Sequence, residues 1–181
     1  MITLENVNIS VAGKEFLSEV NFSITRGEIV RLVGTNGGGK STLIEVLLGL
    51  RAEYDGFIAR KFIQEDYGFL PQVAHQFPKI YLKFSDICDQ SYSFYPATLF
   101  NKSWHTSSGG ERKKALIAKA LHEAKSLVVL DEPFNHLDHQ SCTQVTELLC
   151  AMAKEGMTII YTGHEHTIPG GRDIEVEQWR S

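Results

Sequence analysis

The run Gly34-Thr35-Asn36-Gly37-Gly38-Gly39-Lys40-Ser41 satisfies the pattern G-x-x-x-x-G-K-[ST], and its chemistry is that of a phosphate cradle. Glycines let successive backbone N–H groups turn inward around phosphate oxygens, and a helix opening at the end of the loop adds positive potential. Lys40 reaches the β- and γ-phosphates and the Ser41 hydroxyl is an oxygen ligand for Mg²⁺. Asp131 and Glu132 form a second set, because they follow the wholly apolar run Leu127-Val128-Val129-Leu130. Carboxylates at the C-terminal end of a buried strand stand where open α/β sheets bind ligands. Asp131 suits Mg²⁺, directly or through water, and Glu132 suits polarisation of an attacking water, since phosphoryl transfer depends chiefly on positioning and electrostatic stabilisation.

A third run, Ser107-Ser108-Gly109-Gly110-Glu111, has two physical readings. Ser108 with Glu111 three residues later is a capping box. Gly109-Gly110 would cost stability inside a helix, yet at its N-terminus the bare backbone lets a phosphate approach. The residues alone leave both readings open. His136 and His139, three apart, lack a third ligand for a metal.

These groups need a frame. The β-rich runs Ile2 to Ile9, Val20 to Ile24 and Ile29 to Val33, broken by Ala12-Gly13-Lys14 and Arg26-Gly27-Glu28, predict an antiparallel start with hairpin-like turns. Helical spacing of Leu43, Val46, Leu47 and Leu50 places a helix after the glycine-rich loop. Ile117, Leu121 and Ala124 mark another helix, Leu127 to Leu130 a strand, Val145, Leu148, Leu149 and Met152 a helix, and Thr158 to Tyr161 a strand. That alternation predicts an α/β fold with a mainly parallel sheet flanked by helices. Between the halves, Phe77, Tyr81, Phe84, Tyr92, Phe94, Tyr95, Phe100 and Trp104 are eight of the chain's 18 aromatic residues. A small inserted subdomain, about 73–125, needs such side chains to make a core, and exposed members would serve as interface anchors.

At 181 residues, 43% hydrophobic and 22% charged, with 15 Gly and only 5 Pro, the chain reads as one globular domain, 1–181. Its 18 Lys+Arg against 22 Asp+Glu, a net charge of −4, provide no general field for gathering nucleic acid. Cys88, Cys142 and Cys150, odd in number and without C-x-x-C spacing, read as reduced thiols. No apolar run approaches the roughly 20 residues that cross a bilayer, so a membrane role would need a partner.

In their order along the chain the motifs resemble those of the nucleotide-binding subunit of an ABC transporter. Gly34 to Thr42 resembles the Walker A motif, Gln72 in Phe69-Leu70-Pro71-Gln72 the Q-loop, Ser107 to Glu111 the signature, and Leu127 to Glu132 the Walker B motif. Asn135-His136-Leu137-Asp138 is similar to the D-loop, and His164 after Thr162-Gly163 to the switch histidine. The resemblance implies an ABC-type P-loop fold with an antiparallel N-terminal β-subdomain and a short helical subdomain. It also implies ATP hydrolysis with Mg²⁺ in a head-to-tail dimer, either a homodimer or a heterodimer with a related ATPase subunit. In such a dimer Ser108, Gly109 and Gly110 of one subunit contact the γ-phosphate held by Lys40 of the other. Glu132 would be the general base, His164 a γ-phosphate contact, Gln72 the link from Mg²⁺ and water to a partner domain, and Asp138 a contact across the dimer. Ser41, Gln72 and Asp131 would hold the metal. A transmembrane permease subunit is the implied partner, with the chain cytoplasmic and peripheral on the inner face of the membrane, and no direct nucleic acid contact.

Three departures stand out. Where the family has an aromatic residue stacking on adenine, this chain has Val11, with Phe16 nearby, which predicts weak base contacts and poor discrimination between ATP and GTP. The first signature residue, usually Leu, is Ser107, and only 35 residues, 73–107, separate Gln72 from Ser108. Compactness and the run Asp131-Glu132-Pro133-Phe134 resemble the ATPase of haem export in cytochrome c maturation. The alternatives are a soluble ABC-type ATPase outside transport, disfavoured by the lack of coiled coil or basic extension, and a regulatory protein that binds nucleotide but hydrolyses poorly.

Overall fold

The computed structural model describes residues 2–62, 66–72, 82–163 and 166–181. Strands β1 (Ile2–Val11), β2 (Lys14–Ile24) and β4 (Tyr54–Arg60) form an antiparallel sheet in the order β2-β1-β4. Strands β3 (Ile29–Val33), β5 (Tyr67–Leu70), β6 (Leu127–Leu130), β7 (Thr158–Thr162) and β8 (Arg172–Glu175) form a parallel sheet in the order β5-β6-β7-β3-β8. Helices α1 (Lys40–Leu47), α2 (Gly109–Glu123) and α3 (His139–Lys154) complete the described frame.

The N-terminal region corrects the sequence reading in two ways. The turn at Ala12-Gly13 is a two-residue hairpin with both residues at positive φ, 52° and 75°, the conformation whose twist matches the flanking strands. It feeds a strand that begins at Lys14 rather than Val20. The third run, Ile29 to Val33, leaves the antiparallel sheet and pairs in parallel with β7 and β8. Short apolar strands carry no signal of partner direction; burial on both faces, which parallel sheets demand, decides it. Likewise α1 closes at Leu47, and Leu50, periodic with it, lies past its end with 49% of its surface exposed.

Alternation along β6 divides the core. Val128 and Leu130 face α2, α3 and the aromatic segment, whereas Leu127 and Val129 face α1 and the antiparallel sheet. Of the eight aromatics, Phe77 and Tyr81 lie outside the described residues. Phe84, Phe94, Tyr95 and Trp104 are buried, and Tyr92 and Phe100 pack against the same core. Phe84 lies 5.9 Å from Trp104 and 6.1 Å from Tyr95 between ring centroids, and Phe100 5.5 Å from Tyr95. The described aromatics are therefore core. Regular structure in 82–107 is limited to single 3₁₀ turns at Phe84–Asp86, Ala97–Leu99 and Trp104–Thr106. With little backbone ladder to hold it, this segment depends on ring packing. Cys88, Cys142 and Cys150 are free thiols.

Candidate functional site

Every parallel strand that carries a candidate residue delivers it to the same edge of the sheet. β3 runs into Gly34, β5 into Pro71-Gln72, β6 into Asp131-Glu132, and β7 ends at Thr162. Loops at the carboxyl edge of a parallel sheet form the usual ligand crevice. A cleft of about 240 Å³ opens there, lined by Phe16, Asn36, Gly37, Gly39, Lys40, Ser41, Thr42, Gln72 and Glu132. The first N–H groups of α1 have no acceptor within the helix and face this ligand end.

Ser41 Oγ donates to Asp131 Oδ2 at 2.7 Å, with Gln72 Oε1 3.5 Å from the same hydroxyl. Asp131 is only 2% exposed, and its other oxygen accepts from Thr162 Oγ1 at 2.5 Å. Ser41, Asp131 and Gln72 thus bring hard oxygen donors to one place, the chemistry Mg²⁺ requires. Lys40, 6% exposed, donates from Nζ to the carbonyls of Gly34 and Thr35 at 2.7 and 2.9 Å. Those bonds keep a buried ammonium satisfied within the loop.

Glu132 has φ +49°, a left-handed conformation uncommon for a side chain with a Cβ. Its N–H donates to Thr162 Oγ1 at 2.8 Å, and Asn135 Nδ2 donates to its Oε2 at 2.8 Å. Strain held by surrounding bonds is characteristic of functional positions. The carboxylate is aimed at the cleft by its turn and clamped by the residue three positions on.

At the other motif, Ser108 caps α2. Its Oγ accepts from the Glu111 N–H at 3.2 Å, and Glu111 Oε2 accepts from the Ser108 N–H at 2.9 Å. Lys102 at 2.5 Å, together with Ser108, draws the Glu111 carboxyl down to about 2. The two glycines differ. A Cβ on Gly110 would meet the His136 carbonyl at 2.7 Å, whereas one on Gly109 would meet nothing within 4 Å. Gly110 is a close-packing residue against the 135–138 loop, and Gly109 leaves its backbone open. Lys114 of α2 pairs with Asp138 at 2.9 Å, and Asp138 caps α3 by accepting from the Ser141 N–H at 2.8 Å. Lys114 and Ser141 hold the Asp138 carboxyl well below the usual carboxylate range. None of Ser108, Gly109, Gly110 and Asp138 is among the described residues lining the cleft.

Phe16, not Val11, reaches the cleft. Val11 ends β1 opposite Lys14 and is absent from the described lining, whereas the Phe16 ring is a wall of it. Strand alternation past the hairpin points Phe16 at the loop: a Cβ on Gly39 would stand 3.1 Å from that ring. His164 lies outside the described residues.

Sequence reasoning missed Lys113, Thr162, Glu177 and Arg180. Lys113 is buried, its Nζ 3.5 Å from the Asp131 carbonyl. Burial pulls its ammonium down to about 8, against the opposing effect of Asp131 and Glu132. Its place on the apolar face of α2, with Leu116, Ile117, Ala120 and Leu121, was a readable signal. Glu177 and Arg180 gave none, since they reach the loop only through the sheet.

The model of the family described as ABC transporter matches residues 17–135, which contain the loop, Gln72, the capped α2 terminus and both carboxylates. The chain belongs to the ABC transporter family. Two curated relatives of this cassette are zinc import ATP-binding proteins. One, from Hahella chejuensis, is 30% identical over 86% of this chain and 64% of its own length. The other, from Acinetobacter baylyi, is 32% identical over 91% of this chain and 68% of its own. The cassette thus spans about two thirds of the length of these relatives. Among solved structures, a metal-chelate type ABC transporter in an inward-facing conformation matches with TM-score 0.73 and 27% identity, covering 90% of this chain and 73% of that one. A dimeric ATP-binding cassette bound to ADP and Pi matches the fold with TM-score 0.81 at 20% identity, over 98% of this chain and 95% of the other. Among the described residues no helix is long and apolar enough to cross a membrane.

Proposed function

We propose that the chain binds and hydrolyses ATP as the motor subunit of an ABC transporter, working as a head-to-tail dimer beneath a separate transmembrane permease. The observation that carries this reading is the convergence of Lys40, Ser41, Gln72, Asp131 and Glu132 from three separate chain segments on one sheet edge.

Lys40 exchanges its loop carbonyls for the β- and γ-phosphates, and the N–H groups opening α1 hold the remaining oxygens. Ser41, Asp131 and Gln72 would hold Mg²⁺, which supplies charge neutralisation across the phosphates. Glu132, clamped by Asn135, orients a water in line with the γ-phosphorus and takes its proton as the new P–O bond forms; the bond to the β-phosphate oxygen breaks, leaving ADP and phosphate. Ser108 and Gly109, remote from their own cleft and open to approach, are suited to close the cleft of a second copy. The link between α2 and the 135–138 loop, through Gly110 and the Lys114–Asp138 pair, would carry that closure toward Glu132 of the same subunit. Relatives named for zinc import make a metal-import complex the first assembly to test.

Base recognition falls to Phe16. Stacking on an aromatic ring is worth about 1–3 kcal/mol per base and tolerates any base. Phe16→Ala is expected to weaken ATP about tenfold while leaving inorganic tripolyphosphate unchanged, and Val11→Ala to alter neither. Competition between ATP and GTP on the wild type is expected to give similar affinities; a strong preference for ATP refutes base-blind stacking.

The test of the function is titration of the purified chain with Mg-ATP, followed by phosphate release and recovery from detergent extract. Saturable binding, turnover and co-purification with a membrane protein support the reading. Absence of nucleotide binding refutes it, and recovery with nucleic acid in place of a membrane protein favours the non-transport alternative.

A further inference from the structure

Strand β8 lies beside β3, with Glu175 opposite Val33. The Val176 N–H donates to the Val33 carbonyl at 2.9 Å. This pairing carries the next turn, Glu177–Trp179, directly over the outer side of the phosphate loop. Three contacts tie it there. Glu177 Oε1 accepts from the Thr35 N–H at 2.8 Å and also from the Thr35 hydroxyl. Arg180 Nη1 donates to the Gly37 carbonyl at 3.2 Å, with its guanidinium 5.3 Å from the Phe16 ring centre. Glu177 Cγ packs so closely that a Cβ on Gly34 or Gly38 would stand 3.3 Å from it.

The atoms used are the Thr35 N–H and hydroxyl and the Gly37 carbonyl, none of them an N–H group at the opening of α1. The Gly38 N–H is engaged by the Thr35 carbonyl at 3.0 Å, which closes the turn Thr35–Gly38. Glu177 holds the donor side of Thr35, and Arg180 holds the carbonyl of Gly37. The N–H groups that open α1, from Gly39 onward, are outside this set and face the ligand. Trp179 stacks on Phe22 at 5.5 Å and Val176 is buried, so the turn is anchored to the β1–β2 hairpin independently of the loop. The turn is therefore a fixed support. Bonds to Thr35 draw the Glu177 carboxyl below its usual value, in keeping with an ionised acceptor.

We propose that Glu177, assisted by Arg180, is a positioning residue for nucleotide: it braces the outer side of the phosphate loop so that the inner N–H groups are preset before phosphates arrive. The proposal rests on the nucleotide-binding reading above. A loop that must order on binding loses affinity by the cost of that ordering. The brace therefore acts on affinity and KM, and leaves kcat at saturation to Glu132.

The test is direct titration of the folded full chain with ADP and with Mg-ATP, alongside thermal unfolding of each variant without nucleotide. Glu177→Ala is expected to raise Kd about tenfold for both nucleotides and to raise KM with kcat unchanged. Glu177→Gln keeps an acceptor for the Thr35 donors and is expected to remain within about threefold of wild type. Arg180→Ala, at an exposed position, is expected to weaken both nucleotides about threefold. Wild-type affinity in Glu177→Ala, or equal losses in the Ala and Gln variants, overturns the brace while nucleotide binding by the wild type stands. A fall in unfolding temperature with affinity unchanged assigns the segment to stability alone and also overturns it. Should Glu177→Ala not fold, unchanged affinity in Arg180→Ala overturns it. A wild type that binds no nucleotide removes the function and the brace together.

Discussion

Glu132→Gln is expected to lower ATP-dependent phosphate release by about a thousandfold and to convert ATP into a clamp that holds two copies of the chain together. The substitution is nearly isosteric, and the new carbonyl oxygen still accepts from Asn135 Nδ2, which meets Glu132 Oε2 at 2.8 Å. The bond from the Glu132 N–H to Thr162 is untouched, because it is made by the backbone. What disappears is the ability to take a proton from water. General-base catalysis contributes roughly 10²–10⁴-fold, and a thousandfold loss corresponds to about 4 kcal/mol of transition-state stabilisation. Lys40, Ser41 and Asp131 are unaltered, so Mg-ATP is expected still to bind. With hydrolysis blocked, a nucleotide-bridged pair would persist. Sizing in Mg-ATP is expected to show a dimer in Glu132→Gln and a monomer in the wild type after turnover. Turnover by the variant at the wild-type rate would remove Glu132 from the role of base, and a monomer in both would deny the trans role of Ser108 and Gly109.

The second large effect concerns stability. Gly68, in the edge strand β5, faces the backbone of α2: a Cβ placed there would stand 1.7 Å from the Ala120 carbonyl oxygen and 2.7 Å from its carbon. Neither atom belongs to a flexible side chain, so the helix or the strand must move. Overpacking of this kind costs about 3 kcal/mol, the upper end of the usual range. For a chain of this size that lowers the unfolding temperature by roughly 10 °C. Gly109→Ala is the control, since the added methyl meets nothing within 4 Å, and it is expected to leave the unfolding temperature within about 2 °C. Equal behaviour of the two variants would show that α2 is not seated on β5. Because β5 leads to Gln72 and α2 begins at the capped Ser108, a shift between them would also disturb the positions of Gln72 and Ser108.

Legibility in the sequence tracked how local each feature is. The strand–loop–helix at Ile29 to Leu47 could be read because an apolar run, closely spaced glycines and helical periodicity lie within a few residues of one another. The capping box at Ser108 and Glu111 was equally visible, since both partners stand on one turn. Pairing was different. The run Ile29 to Val33 looked like the next strand of an antiparallel meander, and it joins the parallel sheet because its two faces must both be covered. The aromatic residues of 77–104 announced a small core, while its shape in the described part, 3₁₀ turns around rings packed edge-on and tilted, depended on contacts between residues up to twenty positions apart.

The same division applies to the site. The sequence by itself determined the chemistry: a loop able to bind phosphate, a lysine, a hydroxyl beside it, and two carboxylates at the end of an apolar strand, each specified by neighbours on the chain. Tertiary structure alone decided which of these meet and what supports them. Sheet order set Asp131 against Ser41 across 90 residues of chain, chose Phe16 over Val11 for the cleft, and brought Glu177 to Thr35 across 142. Side-chain types and short spacings encode local backbone geometry, whereas the meeting of distant segments is set by which strands pair and which faces they bury, a property of the whole chain that no single motif contains.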